Sequence, residues 1–310
     1  MKDKKIITVF AGKGGVGKTT CASATALFHA GCGRRTLAIS TDPTPSLSDI
    51  FEVNSRDSVA MVNEFLYIRE LGLNEVKEMW DTKFGQEVYE VFSSFVSVAY
   101  PDFVEFMTSL LPGLGDEFMV DYIRHLSNRD DFDAIVWDTA PLGQTLTLLE
   151  TPAMLRQHLR MAPRIYSKLK VSSRRREPVL DILKRWETLS AENMDFLRDE
   201  VEFAIVTIAE ALAVNQLKDV FTEMDKYGLK PGRLVVNNVA MDDGSMFFTS
   251  RVEQQKHYLD LIHELAPEIP VTKVPMFARE IKGIERLKEV MNYLFHSCTG
   301  NDNGIIQEIQ

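Results

Sequence analysis

The residues best equipped for chemistry are Gly12-Lys13-Gly14-Gly15-Val16-Gly17-Lys18-Thr19, followed by Thr20. They fit G-x-x-x-x-G-K-[ST], the pattern of a loop that wraps phosphates. Each residue type has a physical reason. Glycine lets backbone N–H groups turn inward onto phosphate oxygens with no Cβ in the way. A helix starting near Lys18 adds the partial positive charge of its N-terminus. Lys18 is placed to reach the β- and γ-phosphates of a nucleotide, and the Thr19 hydroxyl to ligate Mg²⁺. Lys13 is a second cation that the pattern does not require.

Such a loop works only where a strand delivers it and a helix carries the chain away. The short apolar run Lys5–Phe10 lies directly before it. Five further runs of the same kind are Thr36–Ser40, Ala134–Asp138, Glu202–Ile208, Arg233–Val239 and Val271–Pro275. Nearly continuous apolar character suits strands buried on both faces of a parallel sheet. Segments of helical spacing separate them, so the chain is predicted to be α/β: a parallel, helix-covered P-loop NTPase sheet. Right-handed crossovers place the strand C-termini and their loops along one edge.

Two stretches interrupt this rhythm. One, at about 59–129, is helix-like and carries Phe92, Phe95, Phe103, Phe106, Met107, Leu110 and Leu111. The other, at about 152–199, is also helix-like and contains the charged run Ser172–Glu177. Neither junction has a Gly/Ser-rich linker. Residues 1–310 are therefore read as a single P-loop domain with an inserted α-helical subdomain built from these two insertions. No internal repeat is visible.

The bulk numbers restrict the function classes. A formal net charge of -10 over 310 residues argues against a general nucleic-acid binder, which needs a basic face. The three cysteines, Cys21, Cys32 and Cys298, are widely spaced and form no Cys-x-x-Cys pair, so neither a disulfide framework nor a four-thiolate metal site is expected. The N-terminus has no secretory-type apolar region and no stretch reaches the ~20 apolar residues of a membrane span, so a cytoplasmic location is expected.

Three more segments carry a resemblance: Ser40-Thr41-Asp42-Pro43-Thr44-Pro45-Ser46-Leu47-Ser48-Asp49, Pro112-Gly113-Leu114-Gly115-Asp116-Glu117 and Asp138-Thr139-Ala140-Pro141-Leu142-Gly143-Gln144-Thr145-Leu146. With the phosphate loop, whose early lysine is the mark of a deviant Walker A superfamily, they resemble the arsenite-pump and tail-anchored-protein-targeting ATPase family. The resemblance runs from the N-terminus to about Arg286 and is weakest near Lys168–Asp199. It implies an ATP hydrolase that uses ATP and Mg²⁺ and works as a homodimer. It also implies that Lys13 crosses the dimer interface to stabilise phosphate charge in trans, as an arginine finger does. Asp42 then orients or activates the attacking water, Asp138 holds Mg²⁺, and Gly143 offers its N–H to the γ-phosphate within a switch over Pro141–Thr145. Asn237 is placed on adenine, Pro275-Met276-Phe277 form the adenine loop, Glu280-Ile281-Lys282-Gly283 complete its pattern, and Glu210 lies near the nucleotide. A strand-ending aspartate also serves as a helix cap, and Phe277 reads equally well as core packing.

The resemblance implies capture of a hydrophobic helix of a client membrane protein, with delivery to a membrane receptor. Its alternatives are an arsenite-stimulated pump subunit and a partition or membrane-placement switch. The sequence departs from the family at Thr44-Pro45, where Ala-His is usual, and at Gln144, where a histidine is usual, and Asn238–Gln254 lacks the cysteine pair that staples many targeting members through zinc. The basic segment Lys168–Arg176 replaces a Met-rich client helix and is read as a solvated loop, or as a contact for acidic groups or lipid headgroups.

Overall fold

The computed structural model describes residues 5–41, 46–53, 59–93, 98–104, 114–139 and 176–295. Its framework is an eight-stranded sheet. The strands are β1 Ile6–Gly12, β2 Thr36–Ser40, β3 Ala60–Met61, β4 Leu66–Glu70, β5 Ala134–Asp138, β6 Val201–Ile208, β7 Pro231–Val239 and β8 Val271–Pro275. Their order across the sheet is β3-β4-β2-β5-β1-β6-β7-β8. All neighbours are parallel except β3 and β4. The fold is thus the expected α/β arrangement of the P-loop NTPase kind, with a short antiparallel edge.

The six apolar runs supply the parallel body. β2 and β5 are buried at every position, and β1 at all but its first. Fully burying one of their larger side chains, such as Phe10 or Ile39, is worth about 1.5–3 kcal/mol. The one polar group on Trp137, its indole N–H, donates to the Thr41 hydroxyl at 3.3 Å.

Helix α1 (Lys18–Gly31) lies in the core, with Cys21, Ala22, Ala24 and Ala26 fully buried. Small residues let this helix approach the sheet closely, as interior packing density demands. α2 is the short helix Leu47–Phe51. Three further helices belong with this sheet: α7 Ala211–Lys226, α8 Met246–Leu265 and α9 Gly283–Phe295. α7 buries Ala213, Val214, Leu217, Val220 and Met224, a one-sided stripe of the 3.6-residue period.

The chain divides into two compact units, one of Met1–Leu71, Arg129–Thr145 and Val201–Gln310, the other of Gly72–Asn128 and Leu146–Glu200. The described helices of the second unit are α3 Leu73–Trp80, α4 Gln86–Ser93, α5 Leu114–Ser127 and α6 Arg176–Asp199, with a π-helical turn at Asp81–Gly85 joining α3 to α4. Within it, buried Asp121 accepts from Lys83 and Arg124, and Arg124 also holds Glu192 at 2.6 Å. A buried carboxylate is tolerable only with such pairing.

One expectation needs correction. The stretch from Val59 is not helical from its start, because Ala60–Met61 and Leu66–Glu70 join the sheet and the first helix begins at Leu73. Leu66 and Ile68 are fully buried while Tyr67 and Arg69 are half-buried, so β4 alternates instead of running apolar throughout. Among the described residues no helix is long and apolar enough to cross a membrane.

Candidate nucleotide site

β1 stops at Gly12 and α1 starts at Lys18, so the glycine-rich motif forms the turn between them. Three of its glycines have positive φ: Gly12 at 153°, Gly15 at 77° and Gly17 at 93°. Val16 is buried and pins the loop to the core. Lys18, 6% exposed, reaches back over the loop and donates to the Lys13 carbonyl at 3.2 Å. An ammonium over a ring of backbone donors at a helix N-terminus is a cradle for a polyphosphate.

Beside the loop, the Thr19 hydroxyl donates to Asp138 Oδ2 at 2.7 Å. Asp138 is the last residue of β5 and is 1% exposed. It reaches the loop because β5 is the direct neighbour of β1, with Phe10 opposite Asp138 in the register. A hydroxyl and a carboxylate side by side are hard oxygen donors of the kind Mg²⁺ takes alongside phosphate and water. Thr139 follows and fixes this end of the strand, its hydroxyl donating to the Phe10 carbonyl at 2.8 Å.

A cleft of about 510 Å³ opens from the loop. Gly15, Gly17, Thr19 and Thr20 form one side, and Asn237, Asn238 and Phe277 another. Asn237, near the C-terminal end of β7, donates from Nδ2 to the Val16 carbonyl at 2.9 Å, linking the far side of the cleft to the phosphate loop. The Phe277 ring meets Tyr293 edge-on at 5.9 Å. Pro275 ends β8 and is buried, while Met276 follows it with its N–H on the Val239 carbonyl at 2.9 Å.

The sheet therefore brings the loop, Asp138, Asn237 and Phe277 to one edge. Glu210 stands apart from the cleft lining. It occupies the N-cap position of α7 without a side-chain cap, and its carboxylate pairs with Arg251 at 2.7 Å. Asp42, Gly143, the Pro141–Thr145 segment, Lys168–Arg176 and Cys298 lie outside the described residues. Of the apolar stretch, Phe103 and Met119 are buried inside their own unit. The sequence reading missed Ser46, Asp49 and Ile50, which form a third side of the cleft, and Arg279, which joins the base side.

The profile of the anion-transporting ATPase family matches residues 4–296. The chain belongs to that family. Members of the family hydrolyse ATP, and this chain is an ATPase of that kind. It is 29% identical over 297 residues to an Aquifex aeolicus protein provisionally named arsenical pump-driving ATPase 2, covering 92% of this chain and 97% of that one. It is 27% identical over 326 residues to ATPase GET3A of Arabidopsis thaliana, covering 96% and 86%. ATPase GET3 of Pyricularia oryzae is 28% identical over 303 residues, covering 91% and 88%.

The two described cysteines bear on the arsenical name. Cys21 is buried within α1 and Cys32 is exposed at that helix's C-terminal cap. Helical rise puts them roughly 16 Å apart, too far to share one ion. Burial pushes the Cys21 thiol up to about 12, against an opposing pull from Arg233. Since the thiolate is the nucleophile, iodoacetamide at mildly alkaline pH will label Cys32 in the folded ATPase and Cys21 only after denaturation. Peptide mass spectrometry reads both sites, and labelling of Cys21 in native protein would contradict its burial.

Proposed function

We propose that this ATPase is a homodimer that uses ATP binding and hydrolysis to capture and release hydrophobic membrane-anchor helices in the cytoplasm. The observation that carries this reading is similarity along more than nine-tenths of the chain to proteins named GET3, with both lysines of the phosphate loop in place. A client span of ~20 apolar residues exposes too much surface to travel alone in water.

In this reading Lys18 and the loop N–H groups bind the β- and γ-phosphates of ATP. Lys13 neutralises charge on the partner's nucleotide. Asp42 orients the attacking water, and Gly143 senses the γ-phosphate. Thr19 and Asp138 would hold Mg²⁺, which supplies positive charge to the phosphates when bound. Asn237 and Phe277 face the base, with Pro275 and Met276 shaping the turn beneath it. Glu210 lies near the nucleotide in this reading, and its carboxylate also holds α8 through Arg251.

The dimer forms without a zinc staple. In the cysteine-free segment Asn238–Gln254, Met241, Met246 and Phe247 are 63%, 86% and 68% exposed, an apolar surface suited to a partner. A membrane receptor completes the delivery, and the acidic chain has no nucleic-acid partner. Arsenite stimulation, suggested by the name of the Aquifex relative, requires converging thiols that Cys21 and Cys32 do not provide.

The test is coexpression with a tail-anchored client and affinity isolation in ATP, for wild type beside Asp42→Asn. The expected result is an ATP-dependent client complex that the aspartate variant retains while hydrolysis falls. Absence of client from both proteins removes the targeting reading and leaves the ATPase.

A further inference from the structure

The start of α2 is held by a residue distant from it in sequence. β2 ends at Ser40, which pairs in register with Glu70, the last residue of β4. The chain leaves the sheet at Thr41, whose N–H donates to the Asp138 carbonyl at 3.3 Å. It reaches α2 at Ser46, and Glu70 takes hold of it there. Glu70 Oε1 accepts the backbone N–H of Ser46 at 2.6 Å, of Leu47 at 2.8 Å and of Ser48 at 3.3 Å. These are donors that a helix cannot satisfy from within its own first turn. Burial alone would raise the Glu70 carboxyl, but hydrogen bonds from Ser48, Ser46 and Leu47 outweigh it and hold the group below its ordinary value.

The other end of α2 is also confined. Glu52 takes a left-handed φ of 56°, and its carboxylate lies against Gly283 at the start of α9, where a Cβ would come within 2.8 Å of Oε2. Between these ends, Ser46, Asp49 and Ile50 face the cleft. A five-residue helix has no stability of its own. Its place is set by what holds it, and at the phosphate end that is Glu70.

We propose that Glu70 is a positioning residue for ATP hydrolysis: by clasping the start of α2 it fixes the cleft wall opposite the phosphate loop. This rests on the reading of the cleft as the ATP site. Phosphate affinity resides in the loop and in Lys18, whereas Glu70 holds the start of α2. Its loss therefore acts on turnover more than on binding. Both ends of the segment that carries Asp42, at Thr41 and at Ser46, depend on this corner of the sheet.

The experiment compares wild type, Glu70→Gln, Glu70→Asp and Lys18→Ala in steady-state ATP hydrolysis, in binding of a fluorescent ATP analogue, and in thermal melting. Gln keeps the reach of the side chain and loses its charge; Asp keeps the charge and retracts by one methylene. Because misplacement by about 1 Å can cost ~100-fold in rate, Glu70→Asp is expected to lose about tenfold or more in kcat, and Glu70→Gln no more than about threefold. Analogue affinity is expected to stay within about twofold in both. Wild-type kcat in Glu70→Asp, or a loss in Gln equal to that in Asp, overturns the proposal. So does a loss that follows melting or analogue affinity. Hydrolysis retained by Lys18→Ala would overturn the site reading itself, whatever the Glu70 variants do.

Discussion

Lys18→Ala will reduce kcat for ATP hydrolysis by about 10²–10³-fold, as removal of one donor from a charge-stabilising site does elsewhere. The lysine is the first residue of α1, almost fully buried, with its ammonium above the turn between Lys13 and Thr19. Alanine is a good first-turn helix residue, so α1 still forms. The buried stem of the lysine is lost, but none of the β1 or β5 register depends on it. Phosphate release measured beside circular dichroism separates the two effects: the rate collapses while the melting curve stays near wild type. A variant that melts early and hydrolyses in proportion to its folded fraction would show that Lys18 serves the fold alone.

Alanine at two glycines of the same loop should give opposite kinds of damage. At Gly12, φ is 153° and a Cβ would run into the backbone carbonyl of Val206, its register partner on β6. Neither atom can move without parting the two strands at the centre of the sheet. Gly12→Ala is expected to cost on the order of 3 kcal/mol or more, a large share of the ~5–15 kcal/mol that holds a domain together. At Gly17, φ is 93° and the Cβ meets a side chain, the Asn237 amide. That amide can turn away, at the loss of its buried bond to Val16 and about 1–3 kcal/mol. Gly17→Ala should therefore fold and bind ATP at least about tenfold more weakly, since 1.4 kcal/mol corresponds to a factor of ten. Urea melts and fluorescent-nucleotide titration decide it. A stable Gly12→Ala, or a Gly17→Ala with unchanged affinity, contradicts the geometry.

Six of the parallel strands were legible because most of their positions are buried and apolar. Thr36–Ser40, Ala134–Asp138 and Val271–Pro275 begin and end where the apolar runs do; two others start one or two residues earlier than expected, and β1 is shifted by one residue at its start and two at its end. The phosphate loop was legible because its glycines answer to backbone geometry that other residues cannot adopt. β4 was hidden because it alternates: Tyr67, Arg69 and Glu70 interrupt the apolar signal, and the run was absorbed into the helical stretch beyond it. Glu70 was hidden with it. Nothing in the local sequence says that a strand-ending glutamate will cap a helix 22 to 24 positions earlier. The third side of the cleft was missed for a similar reason: Ser46 and Asp49 lie in the quoted Ser40–Asp49 segment and Ile50 just after it, but their place on the cleft comes only through tertiary contacts.

The strand order has a consequence for how this chain is made. β1 lies between β5 and β6, so its two hydrogen-bonding edges are matched by segments far along the sequence. Asn237, which ties down the loop at Val16, is 221 positions away from it. At ~5–20 residues per second, a ribosome needs roughly 11–44 s to synthesise the intervening stretch. β5 follows about 120 residues after β1, so for roughly the first 6–24 s of that interval the first strand has neither neighbour, and its apolar residues are open to wrong pairings. The nucleotide site cannot assist early, because its floor and its far wall are synthesised at opposite ends of this interval. Nascent chains stalled before β6 should therefore be protease-sensitive with or without ATP, and ATP should begin to protect only once Asn237 has cleared the exit tunnel.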